Sequence, residues 1–279
     1  MGAWQLYEQS VIGKVDDESC EDVLVIREGL YAVIDGATDK SGLRYRWGEL
    51  TVTSGRFAAE VVAAALRRVD LDLTPAEIID LLSAALDHEL SEQYPDLNPA
   101  HRPTAQVAAF NAVREELFAV GDSQIVFGRD TQYLGYNGVK AIDHVAADMR
   151  AATIAALDAV SQFDPNDDAG RRAILPLLEI QANLANSSGE FGYPVLNGTS
   201  VPDELIWSAS VSDATHIILA SDGYPDILRD RTFDLRGAET NLRYLLMIDP
   251  HCVRELRSTK GLSAGQSSFD DRAWISLRR

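Results

Sequence analysis

The chain has 279 residues, a formal net charge of −18 and two cysteines, and 46% of its residues are hydrophobic. That hydrophobic content is ordinary for a globular protein and excludes a mainly disordered chain. The sequence has no long Lys/Arg run, which argues against a nucleic-acid binder, because such a protein needs a basic face for the phosphate backbone. The acidity indicates either a solvated surface or carboxylates gathered around a cation, and composition by itself favours the first interpretation.

The apolar runs, the first residues and the cysteines bear on compartment and membrane association. No stretch approaches the roughly 20 apolar residues that span a bilayer, and the first residues show no signal-peptide pattern. Cys20 and Cys252 are too far apart for a CxxC motif and are typical of a reduced compartment. The sequence therefore predicts a cytoplasmic protein with neither a membrane nor a nucleic-acid partner.

Short apolar runs rich in β-branched and aromatic residues recur along the chain and predict strands. The predicted strands are Val23–Arg27, Leu30–Ile34, Gln106–Ala112, Glu116–Val120, Gln124–Gly128, His216–Ala220 and Arg272–Leu277.

Helical patterns lie between these runs. Gly55–Val69 is rich in alanine with apolar residues at helical spacing. Pro75–Glu92 is preceded by Thr74, a candidate N-cap, and Glu77 lies at the spacing of a capping box. Two further helices are predicted over His144–Gln162 and Ala169–Asn186. Strands and helices are segregated rather than alternating, which indicates an α+β fold with antiparallel sheets covered by helices.

Acidic residues follow or precede the predicted strands directly. Asp35, Asp122 and Asp222 each come after a strand, and Asp270 and Asp271 stand before the last one. Each aspartate alone is typical of a turn. If the strand ends lie at one edge of the core, however, the carboxylates repel one another unless a cation or a proton sits among them. Oxygen ligands of this kind suit Mg²⁺ or Mn²⁺.

Five short motifs occur in a fixed order: VIDGAT, PTA, AVGDSQ, LASDGYPD and FDDRAWISL. This series resembles the signature of type 2C metal-dependent Ser/Thr protein phosphatases, and the resemblance runs from about Glu21 to Leu277. It implies a four-layer α-β-β-α sandwich with two central antiparallel sheets. It also implies an inserted helical flap over about residues 140–200, within one domain spanning residues 1–279.

The resemblance also implies residue roles. The catalytic metal ligands would be Asp35, which bridges two Mg²⁺ or Mn²⁺ ions, with Asp222 and Asp270. Gly36 would offer its carbonyl to an ion, and Glu21 and Asp22 would hold metal-bound water. Two further positions carry weaker implications: Gly121–Ser123 would form a structural turn, and Asp226 would touch an additional weak metal.

The implied reaction is hydrolysis of phosphoserine or phosphothreonine in a phosphoprotein partner. In two-metal chemistry of this kind, an activated water attacks phosphorus in line. A covalent phospho-enzyme is not needed, and neither cysteine begins a Cys-x5-Arg signature.

Two departures from the family pattern concern substrate recognition. The residues after Asp35-Gly36 are Ala-Thr-Asp, without the histidine that many members have. The arginine that usually grips phosphate, a few residues before Glu21, is replaced by acidic sequence. Lys40 and Arg44 are the candidate substrate-binding residues, with Lys14 and Arg46 as further possibilities. Two alternatives stay open: a catalytically weak phosphatase-like binding domain, or a phosphatase of small phosphate esters.

Overall fold

The centre of the molecule is formed by two antiparallel five-stranded sheets. The computed structural model describes residues 3–37, 40, 42–160, 164 and 167–279. The strands of the first sheet are, in spatial order, β1 (Gln5–Ile12), β12 (Arg272–Arg278), β11 (His216–Ala220), β8 (Gln124–Arg129) and β9 (Gln132–Asn137).

The second sheet is built from the middle of the chain. Its spatial order is β10 (Trp207–Ser210), β7 (Glu116–Val120), β6 (Thr104–Asn111), β3 (Leu30–Ala37) and β2 (Val23–Arg27). A separate hairpin is formed by β4 (Tyr45–Trp47) and β5 (Leu50–Val52).

Apolar side chains from facing strands fill the space between the sheets. Val33 and Phe110 of the second sheet belong to the same buried cluster as Ile217 and Ile275 of the first. Burial of such side chains contributes roughly 1.5–3 kcal/mol each, so this layer fixes how the two sheets face one another.

Helices cover both outer faces. α1 (Ser54–Leu66) and α2 (Pro75–Gln93) pack on the second sheet, and the capping box predicted at the start of α2 is present, with both of its hydrogen bonds. α5 (Ile227–Asp230) and α6 (Leu235–Ile248) contribute to the core on the outer face of the first sheet. The expected four-layer α-β-β-α sandwich is thereby confirmed.

The insertion between β9 and β10 contains a pair of packed helices, α3 (Ala141–Ala159) and α4 (Ala169–Ile180). The sequence predicted that the first would start at His144, but it begins three residues earlier because Ile142 extends its buried face. Residues 161–162 of that prediction lie outside the described part of the chain. The second was predicted to reach Asn186, but it ends at Ile180 and tightens into a 3-10 turn over Gln181–Leu184.

All seven strands predicted from the sequence are present, with ends shifted by up to three residues. The strands that sequence patterning missed include β1, β9 and β10, each of which forms a sheet edge. Their side chains are largely half-exposed or exposed, so they lack the continuous apolar run that identifies a central strand.

Within the part of the chain that the structure describes, no helix combines the length and the apolar character needed to cross a membrane.

Candidate metal centre

Asp35 lies near the end of β3, a central strand, where it is paired in register with Gln106 of β6. Only 8% of its surface is exposed, and its Oδ2 atom accepts no hydrogen bond from the described residues. The next residue, Gly36, touches the first turn of α1: a Cβ there would lie 2.3 Å from the carbonyl oxygen of Gly55. Glycine is therefore required at this position, because it lets β3 and α1 approach closely beside Asp35.

Asp122 is placed by the turn between β7 and β8. Gly121 has a φ of 102°, which favours glycine, and a Cβ on it would collide with the Gln106 side chain at 2.4 Å. Gln106 Oε1 in turn accepts a hydrogen bond from the Asp122 backbone N–H at 2.5 Å. The strand partner of Asp35 therefore also orients Asp122.

Asp222 follows β11, whose end is held by Ser221. The Ser221 hydroxyl accepts a hydrogen bond from the Ala273 backbone N–H at 2.8 Å and donates one to Asp22 Oδ2 at 2.6 Å. The serine thus joins the first sheet to the loop before β2, and fixes the backbone from which Asp222 projects.

These three strand ends bring three carboxylates together. Asp35, Asp122 and Asp222 each offer an oxygen, and the three oxygens lie within 4.8 Å of one another. Asp35 Oδ2 and Asp122 Oδ1 are buried without a partner among the described residues. Unpaired carboxylate oxygens at this spacing fit a hard divalent cation.

The electrostatics of the cluster agree with that fit. Burial raises the pKa of Asp35 well above its ordinary value, and the charges of Asp22, Asp122 and Asp270 raise it further. Burial likewise raises the pKa of Asp222 well above its ordinary value, and the charge of Asp35 is the next largest cause. A cation among these groups would relieve the repulsion that raises both values.

Asp270, the third ligand expected from the sequence, lies in the wall of the same cavity but outside this close group of three. Lys14 Nζ lies 3.4 Å from Asp270 Oδ1, and Lys260 forms an ion pair with Oδ2. Burial alone would raise the pKa of Asp270, but the two lysines hold it below its ordinary value.

Asp271, Glu21 and Asp22 form a buried acidic group next to Asp270. Asp271 accepts hydrogen bonds from the backbone N–H of Lys14 at 2.7 Å and of Glu21 at 3.1 Å. Glu21 lines the cavity and accepts a hydrogen bond from the hydroxyl of Thr53, the N-cap of α1. Asp22 is buried against Ser221, and burial raises its pKa well above the ordinary value. The structure therefore brings Glu21 into the cavity, whereas Asp22 is enclosed behind it.

A cavity of about 630 Å³ opens above the cluster. Its walls come from the ends of both sheets, from the insertion and from the segment after α6. These walls carry several cations, among them Lys40, Lys140, Arg171 and Lys260.

The two substrate-binding candidates from the sequence are separated by the structure. Lys40 lines the cavity, and Arg44 is exposed and does not. Partial loss of water around the Lys40 ammonium, with the charges of Arg171 and Lys260, lowers the pKa of Lys40 to about 8. Asp226, the expected weak metal contact, also lines the cavity, although its carboxylate caps α5.

The cysteines take no part in this site. Cys20 and Cys252 are both buried, and neither lines the cavity. Burial raises the pKa of each thiol to about 12, so neither is a thiolate nucleophile at neutral pH.

Comparison with solved structures defines the class of this fold, which is that of bacterial type 2C Ser/Thr phosphatases. PstP/Ppp from Mycobacterium tuberculosis aligns with a TM-score of 0.52 and 15% identity, covering 99% of each chain. The PstP catalytic domain in complex with two manganese ions has a TM-score of 0.51 and 16% identity, over 99% of this chain and 97% of that one. Stp1 from Staphylococcus aureus aligns with a TM-score of 0.51 and 14% identity, over 100% and 95% of the chains.

The likeness to phosphatases expected from the motif series is thus confirmed at the level of the fold. No protein-family model and no curated protein matches the sequence.

The motif series assigned no role at the metal centre to two residues of the site. Asp122 was assigned a structural turn, but it belongs to the carboxylate cluster; its position directly after a strand is the signal that Asp35 and Asp222 share. Lys140 reaches Asp122 from the insertion, with 2.9 Å between Nζ and Oδ2. Nothing in the local sequence of Lys140 indicates that contact.

Proposed function

We propose that this protein is a Mg²⁺- or Mn²⁺-dependent phosphatase that hydrolyses phosphoserine or phosphothreonine in proteins. One observation carries the proposal: three carboxylates from three strand ends converge beneath an open cavity, and two of their buried oxygens have no partner among the described residues. The phosphatase fold of the structural neighbours supports it.

Asp35 would be the ligand shared by two ions, as the motif series implies, because it offers the cluster a buried oxygen that has no partner among the described residues. Gly36 and Asp270 complete the proposed ligand set, and Glu21 orients water. When bound, divalent ions supply an activated water and neutralise charge on the phosphoryl group.

The cations of the cavity are proposed to receive the substrate. Lys40 replaces the missing arginine as a ligand of the phosphoryl oxygens, because it lines the cavity next to Asp35-Gly36. A phosphoryl group next to its ammonium favours the charged form, so binding would raise the pKa of Lys40 from its lowered value. We also propose that residues 1–279 act as one domain, and that it works in the cytoplasm.

The test is hydrolysis of p-nitrophenyl phosphate with Mn²⁺, Mg²⁺ or EDTA. Asp35→Asn removes a negative charge from the cluster and should lower metal-dependent turnover roughly 100-fold or more. Asp213→Asn, which changes an exposed aspartate before β11, should leave turnover unchanged. Metal-independent turnover, or equal turnover in the two variants, would contradict the proposal.

The substrate class needs a second measurement, a comparison of phosphopeptides with small phosphate esters. Faster hydrolysis of phosphoserine and phosphothreonine peptides would support the protein substrate. Preference for metabolite-sized esters would instead favour the small-ester alternative.

One observation favours the catalytically weak binding domain as the second candidate. Lys14 and Lys260 both contact Asp270, so the positive charge that a metal ligand would receive from an ion is already supplied by side chains. A folded protein that binds phosphopeptides without hydrolysing them, with any of these metals, would establish this alternative.

A further inference from the structure

The lysines of this chain are few and lie in one place. Only four of its 25 Lys and Arg residues are lysine. Lys40, Lys140 and Lys260 line the cavity, and Lys14 is ion-paired with Asp270 and Asp271 beside it. Positive charge elsewhere is carried by arginine. The compact ammonium group fits a cation-sized space among carboxylates more closely than the wide planar guanidinium does.

Lys140 is the lysine that contacts the carboxylate cluster itself. It precedes α3, its side chain is 11% exposed, and its Nζ lies 2.9 Å from Asp122 Oδ2. Burial alone would lower the pKa of Lys140, but Asp122 and Asp143 raise it, and Asp222 adds to their effect. The ammonium is therefore held charged beside Asp122, one of the three clustered carboxylates.

The surroundings of Lys140 also suit a cation. The Nζ atom lies 5.5 Å from the centre of the Tyr193 ring, within the range of a cation–π contact. Asp143 lines the same cavity, and its buried Oδ1 accepts no hydrogen bond from the described residues. Carboxylates on two sides and an aromatic face on a third make a position that favours a positive charge whatever its source.

We propose that Lys140 is a tethered cation of the carboxylate cluster, and that its ammonium occupies a position at Asp122 that a divalent ion would otherwise take. The inference rests on the proposed metal-dependent function. It assigns to one residue of the insertion two effects: fewer divalent ions bind than the carboxylates allow, and α3 is joined to the metal centre.

The alternative is an ordinary buried ion pair that only holds α3 in place. The two readings differ in what happens when the lysine is removed. An ordinary pair leaves an uncompensated carboxylate that destabilises the fold. A tethered cation leaves a vacant position that a divalent ion can enter.

The experiment counts bound Mn²⁺ by equilibrium dialysis of the full chain, with metal analysis of both compartments. Lys140→Met should bind roughly one ion more than the unchanged protein, because Asp122 and Asp143 become available. Lys140→Arg keeps the charge and should not gain an ion. Arg102→Met is the matched control, since Arg102 is also ion-paired, with Asp87, but contacts none of the clustered carboxylates.

A double variant tests whether the gained ion sits beside Asp143, which acts on Lys140 but is not one of the three clustered carboxylates. Asp143→Asn combined with Lys140→Met should return the ion count to that of the unchanged protein. If Lys140→Met is too unstable to dialyse, thermal unfolding replaces the count. Mn²⁺ should then raise its Tm by more than it raises the Tm of Arg102→Met.

The outcomes separate this inference from the proposed function. Equal ion counts and equal Mn²⁺ affinities in the unchanged protein and Lys140→Met would overturn the inference and leave the function standing. An unchanged protein that binds no Mn²⁺, beside a Lys140→Met variant that binds it, would support the inference and overturn the function. Absence of binding in both would overturn both.

Discussion

Glu239 of α6 and Arg272 of β12 form a buried ion pair behind the cavity. Arg272 donates from Nε to Glu239 Oε1 at 2.7 Å and from Nη2 to Oε2 at 3.2 Å, and the Tyr224 hydroxyl donates to the same Oε1 at 2.9 Å. Tyr224 lines the cavity, so this network ties the outer helix to the site. Replacement of one partner leaves the other charge buried and uncompensated.

Glu239→Gln should therefore lower the free energy of unfolding by about 3 kcal/mol near neutral pH. Urea unfolding of the variant and the unchanged protein measures this difference. Asp148→Asn provides the control, since Asp148 pairs with Arg257 at the surface, where ion pairs contribute little. Equal losses in the two variants would show that the Glu239 pair contributes no more than a surface pair.

The stabilisation from Glu239 should also depend on pH. Burial alone would raise the pKa of Glu239, but the hydrogen bonds and charge of Arg272 lower it below its ordinary value. A lowered pKa in the folded state means that the contribution is complete above the unfolded value of about 4.3 and is lost as the pH falls through the folded value. The difference between Glu239→Gln and the unchanged protein should thus shrink between about pH 5 and about pH 3. A constant difference over this range would contradict the assignment.

At the scale of elements, the turn between β7 and β8 determines where Asp122 lies. Gly121→Ala would place a methyl group 2.6 Å from Gln106 Cβ and hold an alanine at a φ of 102°. We expect a loss of about 1–3 kcal/mol of stability, together with weaker Mn²⁺ binding, because Gln106 orients Asp122. Thermal unfolding and Mn²⁺ titration measure the two effects.

Gly48→Ala separates backbone strain from displacement of the site. Gly48 also has a positive φ, of 60°, but a Cβ there would meet nothing within 4 Å. It should cost stability without changing Mn²⁺ affinity. If both variants bind Mn²⁺ as tightly as the unchanged protein does, Gln106 does not position Asp122 for metal.

The elements also show which parts of the site were accessible to sequence reasoning. β3, β7 and β11 were predicted because their central positions demand apolar runs, and each ends in an aspartate that the pattern made visible. The local pattern could not show that these aspartates converge, because their convergence depends on how the two sheets are placed against each other. The order of the motifs, through its resemblance to the phosphatase signature, predicted it instead. The contact between Lys140 and Asp122 joins residues 18 positions apart across the β8–β9 hairpin. Edge strand β9 was not predicted, because its side chains are half-exposed or exposed. The path of the chain from β8 to Lys140 was therefore not predicted either.

At the scale of the whole molecule, a strongly acidic surface surrounds a cavity with lysines on its walls. The net charge of −18 repels anionic substrates at a distance, and salt weakens this repulsion. Cations on the cavity wall offset this repulsion locally, beside the carboxylates above which a phosphoryl group would be held. The lysine distribution therefore makes lysine modification a reporter of this cavity and its immediate surroundings.

Amine-directed acetylation, followed by peptide mass spectrometry, should consequently rank the four lysines by their surroundings. Lys40 should react fastest, because its pKa is lowered to about 8 and more of its amine is neutral. Lys14 and Lys140 should resist, because neighbouring carboxylates raise their pKa values despite burial.

Inorganic phosphate with Mn²⁺ should slow the labelling of Lys40, since a bound anion favours the charged ammonium; EDTA should remove that protection. Equal labelling of Lys40 with and without phosphate would mean that Lys40 does not receive the phosphoryl group, and would return the search for the missing arginine's substitute to Arg171 and Lys260.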